Sequence, residues 1–167
     1  MQKPDLIGTL LSLCEHDIQF ILVGGLAAVL DGAPVQTYDV DVVHSREPVN
    51  IERLVSFLEE IDAVFRIQPE RRLRPTVSHL EGGQLNLLTN LGPLDLLGTI
   101  GQGLSFSDLL PLSHEMAIAE GIRIRVLNLE TLISIKEQLA SEKDLAVLPI
   151  LRQTLRELRK MPDSGSV

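Results

Sequence analysis

Two short runs of β-branched and apolar residues, Ile18 to Val23 and Tyr38 to Val43, each stand between segments whose apolar residues recur at helical spacing. That alternation restricts the chain to a sheet that carries helices. Leu6, Ile7, Leu10, Leu11 and Cys14 mark a first helix over about Pro4 to His16, with Pro4 early, where a helix tolerates it. Ile18 to Val23 reads as a buried strand, ended by Gly24-Gly25. Leu26 to Leu30 is a short helix, closed by Asp31-Gly32 and Pro34. After the strand from Tyr38 to Val43, Ile51, Leu54, Val55, Leu58 and Ile61 trace an amphipathic helix with Asn50 as its N-cap.

The second half changes character. Pro69 to Pro75 is a polar, basic loop. Leu85 to Thr89 and Leu94 to Leu97 read as a hairpin around Asn90-Leu91-Gly92-Pro93. Met116 to Ala119 and Ile122 to Leu127 read as another, turning at Glu120-Gly121. Asn128 caps a helix carrying Leu129, Leu132, Ile133 and Leu139. Ser141 to Asp144 has the form of a capping box, and a leucine-striped last helix follows, which Pro149 kinks or restarts. The expected fold class is α/β (α+β): a mixed β-sheet flanked by helices, with a helical C-terminal part. Its expected divisions are an α/β core over 1–127, C-terminal helices over 128–160 packed on the same domain, and a disordered tail over 161–167.

Charge and composition narrow the function. Lys plus Arg total 15 and Asp plus Glu total 23, for a net charge of −8. An extended grip on nucleic acid needs a basic surface that this balance does not supply. With no Trp, one Tyr and four Phe, base-stacking platforms are scarce. The single cysteine, Cys14, rules out an intrachain disulfide and a multi-cysteine zinc site, and its apolar helical setting points to a buried, inert thiol. Uncharged stretches reach about 13 residues, short of a membrane span. The N-terminus lacks the apolar core of a signal peptide, so a cytoplasmic protein is expected.

The residues that can carry chemistry gather around the first two strands. Asp39 and Asp41 stand two apart in an apolar strand, which aims both carboxylates at one spot. Such a pair repels unless a cation joins it, and Mg²⁺ takes carboxylate oxygens while keeping room for water and phosphate. A solvated strand face is the plain alternative. Upstream, with thirteen residues between, Gly24-Gly25 lets backbone N–H groups approach a phosphate, or simply makes a tight turn. Asp95 lies among Leu94, Leu96 and Leu97, where a carboxylate needs a cation, a partner or a wet face.

Taken together, Phe20-Ile-Leu-Val-Gly-Gly25, Thr37-Tyr-Asp-Val-Asp-Val42 and Pro93-Leu-Asp-Leu-Leu97 resemble the nucleotidyltransferase superfamily of the DNA polymerase β type. The chain is more narrowly similar to small bacterial AbiEii-type proteins, through Thr37, the strand Gly92 to Leu97, and Leu132-Ile133-Ser-Ile-Lys136 followed by Lys143-Asp144-Leu145. The resemblance implies a nucleotidyltransferase fold and transfer of a nucleoside monophosphate from an NTP to a hydroxyl on RNA, protein or a small molecule. Two Mg²⁺ ions would be held by Asp39, Asp41 and Asp95. Asp95 would act as a ligand or as the base for the acceptor's proton. Gly24, Gly25, Thr37 and Lys136 would bind the nucleotide. It also implies a toxin–antitoxin or phage-defence setting, with an antitoxin-like protein as partner.

Two positions depart from that pattern. Val35 and Ser141 stand where such proteins commonly carry Arg, and neither copies a bidentate grip on phosphate. A catalytically inactive binding or regulatory module of the same fold is therefore the second reading, and a metal-dependent phosphohydrolase the third. Glu70 to Arg74 reads as a solvated loop or as a contact for nucleotide or RNA. Arg152, Arg156, Arg159 and Lys160 read as a solvated face, Asp144 as a cap, and His44 as a neighbour of the Asp-bearing site.

Overall fold

The computed structural model describes residues 3–161. Helix α1 (Leu6–Glu15) starts where the Asp5 carboxylate accepts the Gly8 N–H at 2.8 Å, so Pro4 lies just outside it. Strand β1 (Phe20–Val23) runs straight into α2 (Gly24–Leu30), and the two glycines are the first helical residues rather than a separate turn. Strand β2 (Val40–His44) begins later than expected, which leaves Asp39 on the bend before it.

Helix α3 (Pro48–Glu60) starts at Glu47 with Pro48 in its first turn, so Asn50 is not the cap. Asn50 is buried, and its amide does a different job. It accepts the Gln19 N–H at 2.7 Å and donates to the Gln19 and Ser45 carbonyls at 3.1 and 2.7 Å. It thereby ties the entry of β1 to the exit of β2: it is the acceptor for the Gln19 N–H, and it adds a second donor to the Gln19 and Ser45 carbonyls, which also accept from Ser45 N–H and His44 Nδ1.

Strand β3 (Val64–Phe65), helix α4 (Val77–Glu81), strand β4 (Leu85–Thr89) and strand β5 (Gly92–Leu97) follow. The β4–β5 turn is two residues, Asn90-Leu91, because Thr89 pairs directly with Gly92. A small hairpin of β6 (Thr99–Ile100) and β7 (Leu104–Ser105) leads to α5 (Phe106–Leu109). Strands β8 (Ser113–Ala119) and β9 (Ile122–Leu127) form the last hairpin, with β8 three residues longer than its apolar run suggested. Helices α6 (Leu129–Leu139) and α7 (Glu142–Lys160) end the described chain. Asn128 sits at the cap position of α6 but makes no capping bond; its side chain accepts from His114 Nδ1 at 2.8 Å. Helix α7 runs on across Pro149 instead of restarting there. The residue that loses its bond to the missing N–H, Leu145, is 52% exposed, so water can take its carbonyl. Of the expected tail, 162–167 lies outside the described residues.

The seven-stranded sheet has the order β3-β4-β5-β2-β1-β9-β8. Its centre is mixed: β1 runs antiparallel to β2 and parallel to β9, and β2 runs parallel to β5. Both faces are covered. Phe20, Leu22, Val40, Val42, Leu94 and Leu96 pack with α1 and α3 on one face. Ile21, Val23 and Val43 pack with Leu132, Ile133, Leu148 and Leu151 of α6 and α7 on the other. This explains why β1 reads as an unbroken apolar run. Cys14 is only half-buried against the first core, and burial together with Glu15 pushes its thiol up, away from the reactive thiolate. No described helix is long and apolar enough to cross a membrane.

Replacing Asn50 by Ala removes three hydrogen bonds at a buried side chain and leaves the Gln19 N–H without its acceptor. The Asn50→Ala variant is expected to lose about 1–2 kcal/mol of stability, read from urea unfolding. A loss below about 0.5 kcal/mol would show that water replaces the amide.

Candidate active site

Strand parity decides where the carboxylates go. Val40, Val42, Leu94 and Leu96 turn to the α1/α3 face, so Asp41 and Asp95 turn to the face under α6 and α7. The parallel register sets Asp41 directly beside Asp95 on the neighbouring strand. Asp39, on the bend just before β2, completes the group, and one carboxylate oxygen from each of the three lies within 4.8 Å of the others. Asp95 therefore has neither a plain wet face nor a core position; it faces a cleft.

The glycines make that approach possible. Gly24 has φ +72°, and a Cβ there would run into Asp41 Oδ2. A Cβ on Gly25 would sit 3.0 Å from Thr37 Oγ1. The Thr37 hydroxyl donates to the Asp39 carbonyl at 3.3 Å and lies 3.4 Å from Asp39 Oδ1, which ties the bend to its own carboxylate. Gly24, Gly25, Thr37, Asp39, Asp41, Asp95 and Lys136 all line one cleft of about 470 Å³.

Three cations border the same cleft. Lys136 of α6 pairs with Asp144 at 3.0 Å, and Lys143 at the start of α7 lines the cleft beside it. Asp144 also serves the cap: the Ser141 hydroxyl accepts its N–H at 3.1 Å and donates to its carboxylate at 2.6 Å. The Ser141 hydrogen bonds and Lys136 hold the Asp144 carboxyl below its ordinary range. The third cation, Arg66, was not visible in the sequence pattern. It follows the two-residue strand β3 and reaches across β4, placing Nη2 2.7 Å from Asp95 Oδ1 and 3.0 Å from the Leu87 carbonyl. Its only local signal is position, immediately after the short apolar run Ala63-Val64-Phe65. Val35 lines the cleft with an apolar side chain, so the guanidinium there comes from Arg66.

The electrostatics mark the carboxylates as short of positive charge. Asp41 is pushed up to about 8, first by burial, then by its hydrogen bond with Asp95 and by the charges of Asp39 and Asp95; Arg66 pulls the other way. Three oxygen donors around one point, crowded to the extent that one resists ionising, fit a hard divalent cation such as Mg²⁺.

Other sequence candidates lie elsewhere. His44 shares parity with Val40 and Val42, which puts it on the opposite face of the sheet from Asp41, so it is not a neighbour of the site. It is buried, its Nδ1 donates to the Ser45 carbonyl, and burial holds it below the ordinary imidazole range. The basic loop is tied down: Arg72 and Arg74 both grip Asp62 at 2.5 Å. On α7, Arg152 pairs with Glu137, Arg159 with Glu130 and Lys160 with Glu157.

A carboxyl raised by folding stabilises the native state below its unfolded pKa near 4, and that contribution disappears as pH rises through about 8. Asp41→Asn removes the penalty. Without metal, the variant is expected to melt about 5 °C above the parent at pH 8.5, with the gap closing by pH 4.5. Millimolar Mg²⁺ should raise the parent's melting temperature at pH 8.5 and leave that of Asp41→Asn unchanged. A gap independent of pH would show that Asp41 ionises freely.

No family model matches the sequence, and no curated protein matches it either. Solved structures do. The lincosamide antibiotic adenylyltransferase LnuA, in its lincomycin-bound form, aligns over 90% of this chain and 96% of its own, with a TM-score of 0.59 and 14% identity. TM1012 from Thermotoga maritima, described as a nucleotidyltransferase, aligns over 90% of this chain and 89% of its own, with a TM-score of 0.52 and 19% identity. At these identities the likeness is one of fold: the mixed sheet with its flanking helices is a nucleotidyltransferase fold.

Proposed function

We propose that this chain is a Mg²⁺-dependent nucleotidyltransferase that moves a nucleoside monophosphate from an NTP to a hydroxyl acceptor. The observation that carries the reading is the meeting of Asp39, Asp41 and Asp95 within 4.8 Å, in a cleft also lined by Arg66, Lys136 and Lys143. Divalent ions held by the three carboxylates would neutralise phosphate charge and acidify the acceptor hydroxyl. The acceptor oxygen attacks the α-phosphorus, the bond from that phosphorus to the bridging oxygen breaks, and pyrophosphate leaves with the electron pair. Asp95 accepts the hydroxyl proton or serves as a ligand. Gly24 and Gly25 bring main-chain groups close to the triphosphate, while Thr37 holds the bend that aims Asp39. Lys136 and Lys143 balance the triphosphate's charge.

The acceptor remains a hydroxyl on RNA, protein or a small molecule in this reading. The AbiEii-type resemblance supports a cytoplasmic toxin–antitoxin or defence role with an antitoxin-like partner. LnuA, a neighbour in fold, is an adenylyltransferase for a lincosamide, which supports nucleotide use. The apolar Val35 in the cleft favours a second reading, an inactive binding module; Mg²⁺-dependent NTP binding with transfer would separate the two.

Purified protein is given each α-³²P-labelled NTP with Mg²⁺, pooled tRNA and host lysate. Label is expected on an acceptor, and the double variant Asp39→Ala/Asp41→Ala should reduce it by about 10³-fold or more. Arg66→Ala is expected to cost roughly 10–100-fold in kcat/KM through loss of its hold on Asp95. No label, together with no Mg²⁺-dependent NTP binding by calorimetry, would reject the enzyme.

A further inference from the structure

The carboxylates have a second cavity on their far side. Its volume is about 510 Å³, large enough for a drug-sized molecule. It shares Gly24, Asp41, Asp95, Leu132 and Lys136 with the first cleft, so the two chambers meet at the reacting centre. The Lys136–Asp144 ion pair stands between them. Lys136 faces both chambers, Lys143 only the first, and Asp144 only the second.

The two linings share apolar walls and differ in charge. The first chamber holds Arg66 and Lys143 in addition to Lys136. In the second, the one cation is Lys136, already paired, and the remaining charges are carboxylates. Its walls are Leu97, Ile100, Ile135 and Leu139, with Gln84 and Thr99 as neutral polar groups. A triphosphate suits the first chamber. The second repels a polyanion and offers apolar area with a few hydrogen-bonding groups. Most of the basic clusters elsewhere are drawn to acids: Arg72 and Arg74 to Asp62, Arg152 to Glu137 and Arg159 to Glu130.

We infer that the second chamber is the acceptor site, and that the acceptor is a small, non-anionic amphipathic alcohol rather than a nucleic acid. This rests on the transferase reading above. The acceptor's apolar body lies against Leu97, Ile100, Ile135 and Leu139, and its hydroxyl points at Asp41 and Asp95. That hydroxyl oxygen bonds to the α-phosphorus of the NTP in the first chamber, pyrophosphate departs, and the proton passes to Asp95 or to water.

The test uses the full chain with Mg²⁺ and α-³²P-labelled NTP. Three acceptors compete: n-octyl glucoside, its amine-bearing counterpart N-octylglucamine, and pooled tRNA. Thr99→Trp and Ile100→Trp each place an indole in the second chamber; Thr99 is exposed, so that variant asks least of the fold. Label is expected on an alkyl sugar and not on tRNA. It should fall about tenfold or more in the tryptophan variants while Mg²⁺–NTP binding by calorimetry stays at the parent's value. Label on tRNA alone overturns the inference. So does undiminished alkyl-sugar labelling in both variants, and so does NTP binding with no label on either sugar. Failure of the parent to bind Mg²⁺–NTP at all removes the transferase reading, and this inference with it.

Discussion

Two carboxylates set directly side by side on parallel strands are the constraint around which this molecule is arranged. Strands β2 and β5 hold Asp41 and Asp95 in register, with no side-chain freedom large enough to separate them fully. Like charges at that spacing, screened from water by α6 and α7, oppose folding unless positive charge joins them. The nearby elements answer that demand. Gly24 yields the space a Cβ would take, Thr37 pins the bend that brings Asp39 inward, and Arg66 reaches over β4 to meet Asp95.

The first half of the fold was legible because its signals are local. Helical spacing, an unbroken apolar run and a glycine pair each report on a few neighbouring residues, and α1, β1, α2 and β2 appear where those signals lie. The carboxylates were legible for the same reason: i and i+2 spacing on a strand, and an acid among leucines, are local patterns. The edges were less so. Residues 98–112 alternate too briefly to announce the β6–β7 hairpin or α5. Asn50 and Asn128 read as caps because amides often are, yet both were claimed by distant groups, at Gln19 and Ser45 for one and at His114 for the other. His44 was placed near the site by its strand but excluded by its parity.

The basic residues teach a related lesson. In sequence, Arg71-Arg72 and Arg74 look like a charged arm, and α7 looks like a cationic stripe. In space, Asp62 pairs with both Arg72 and Arg74, and glutamates of α6 and α7 pair with Arg152, Arg159 and Lys160, while Arg71 and Arg156 bond to the amides of Gln68 and Gln153. Exposed pairs of this kind add little stability. The cations that line the cleft itself are Arg66, Lys136 and Lys143.

The position of Arg66 also bears on how such chains are compared. A guanidinium delivered by the sheet's edge, from beyond the next helix in the chain, leaves no trace in any pattern written along the first two strands. In this chain, which strand faces which decides where that charge arrives, and the count of residues between motifs does not.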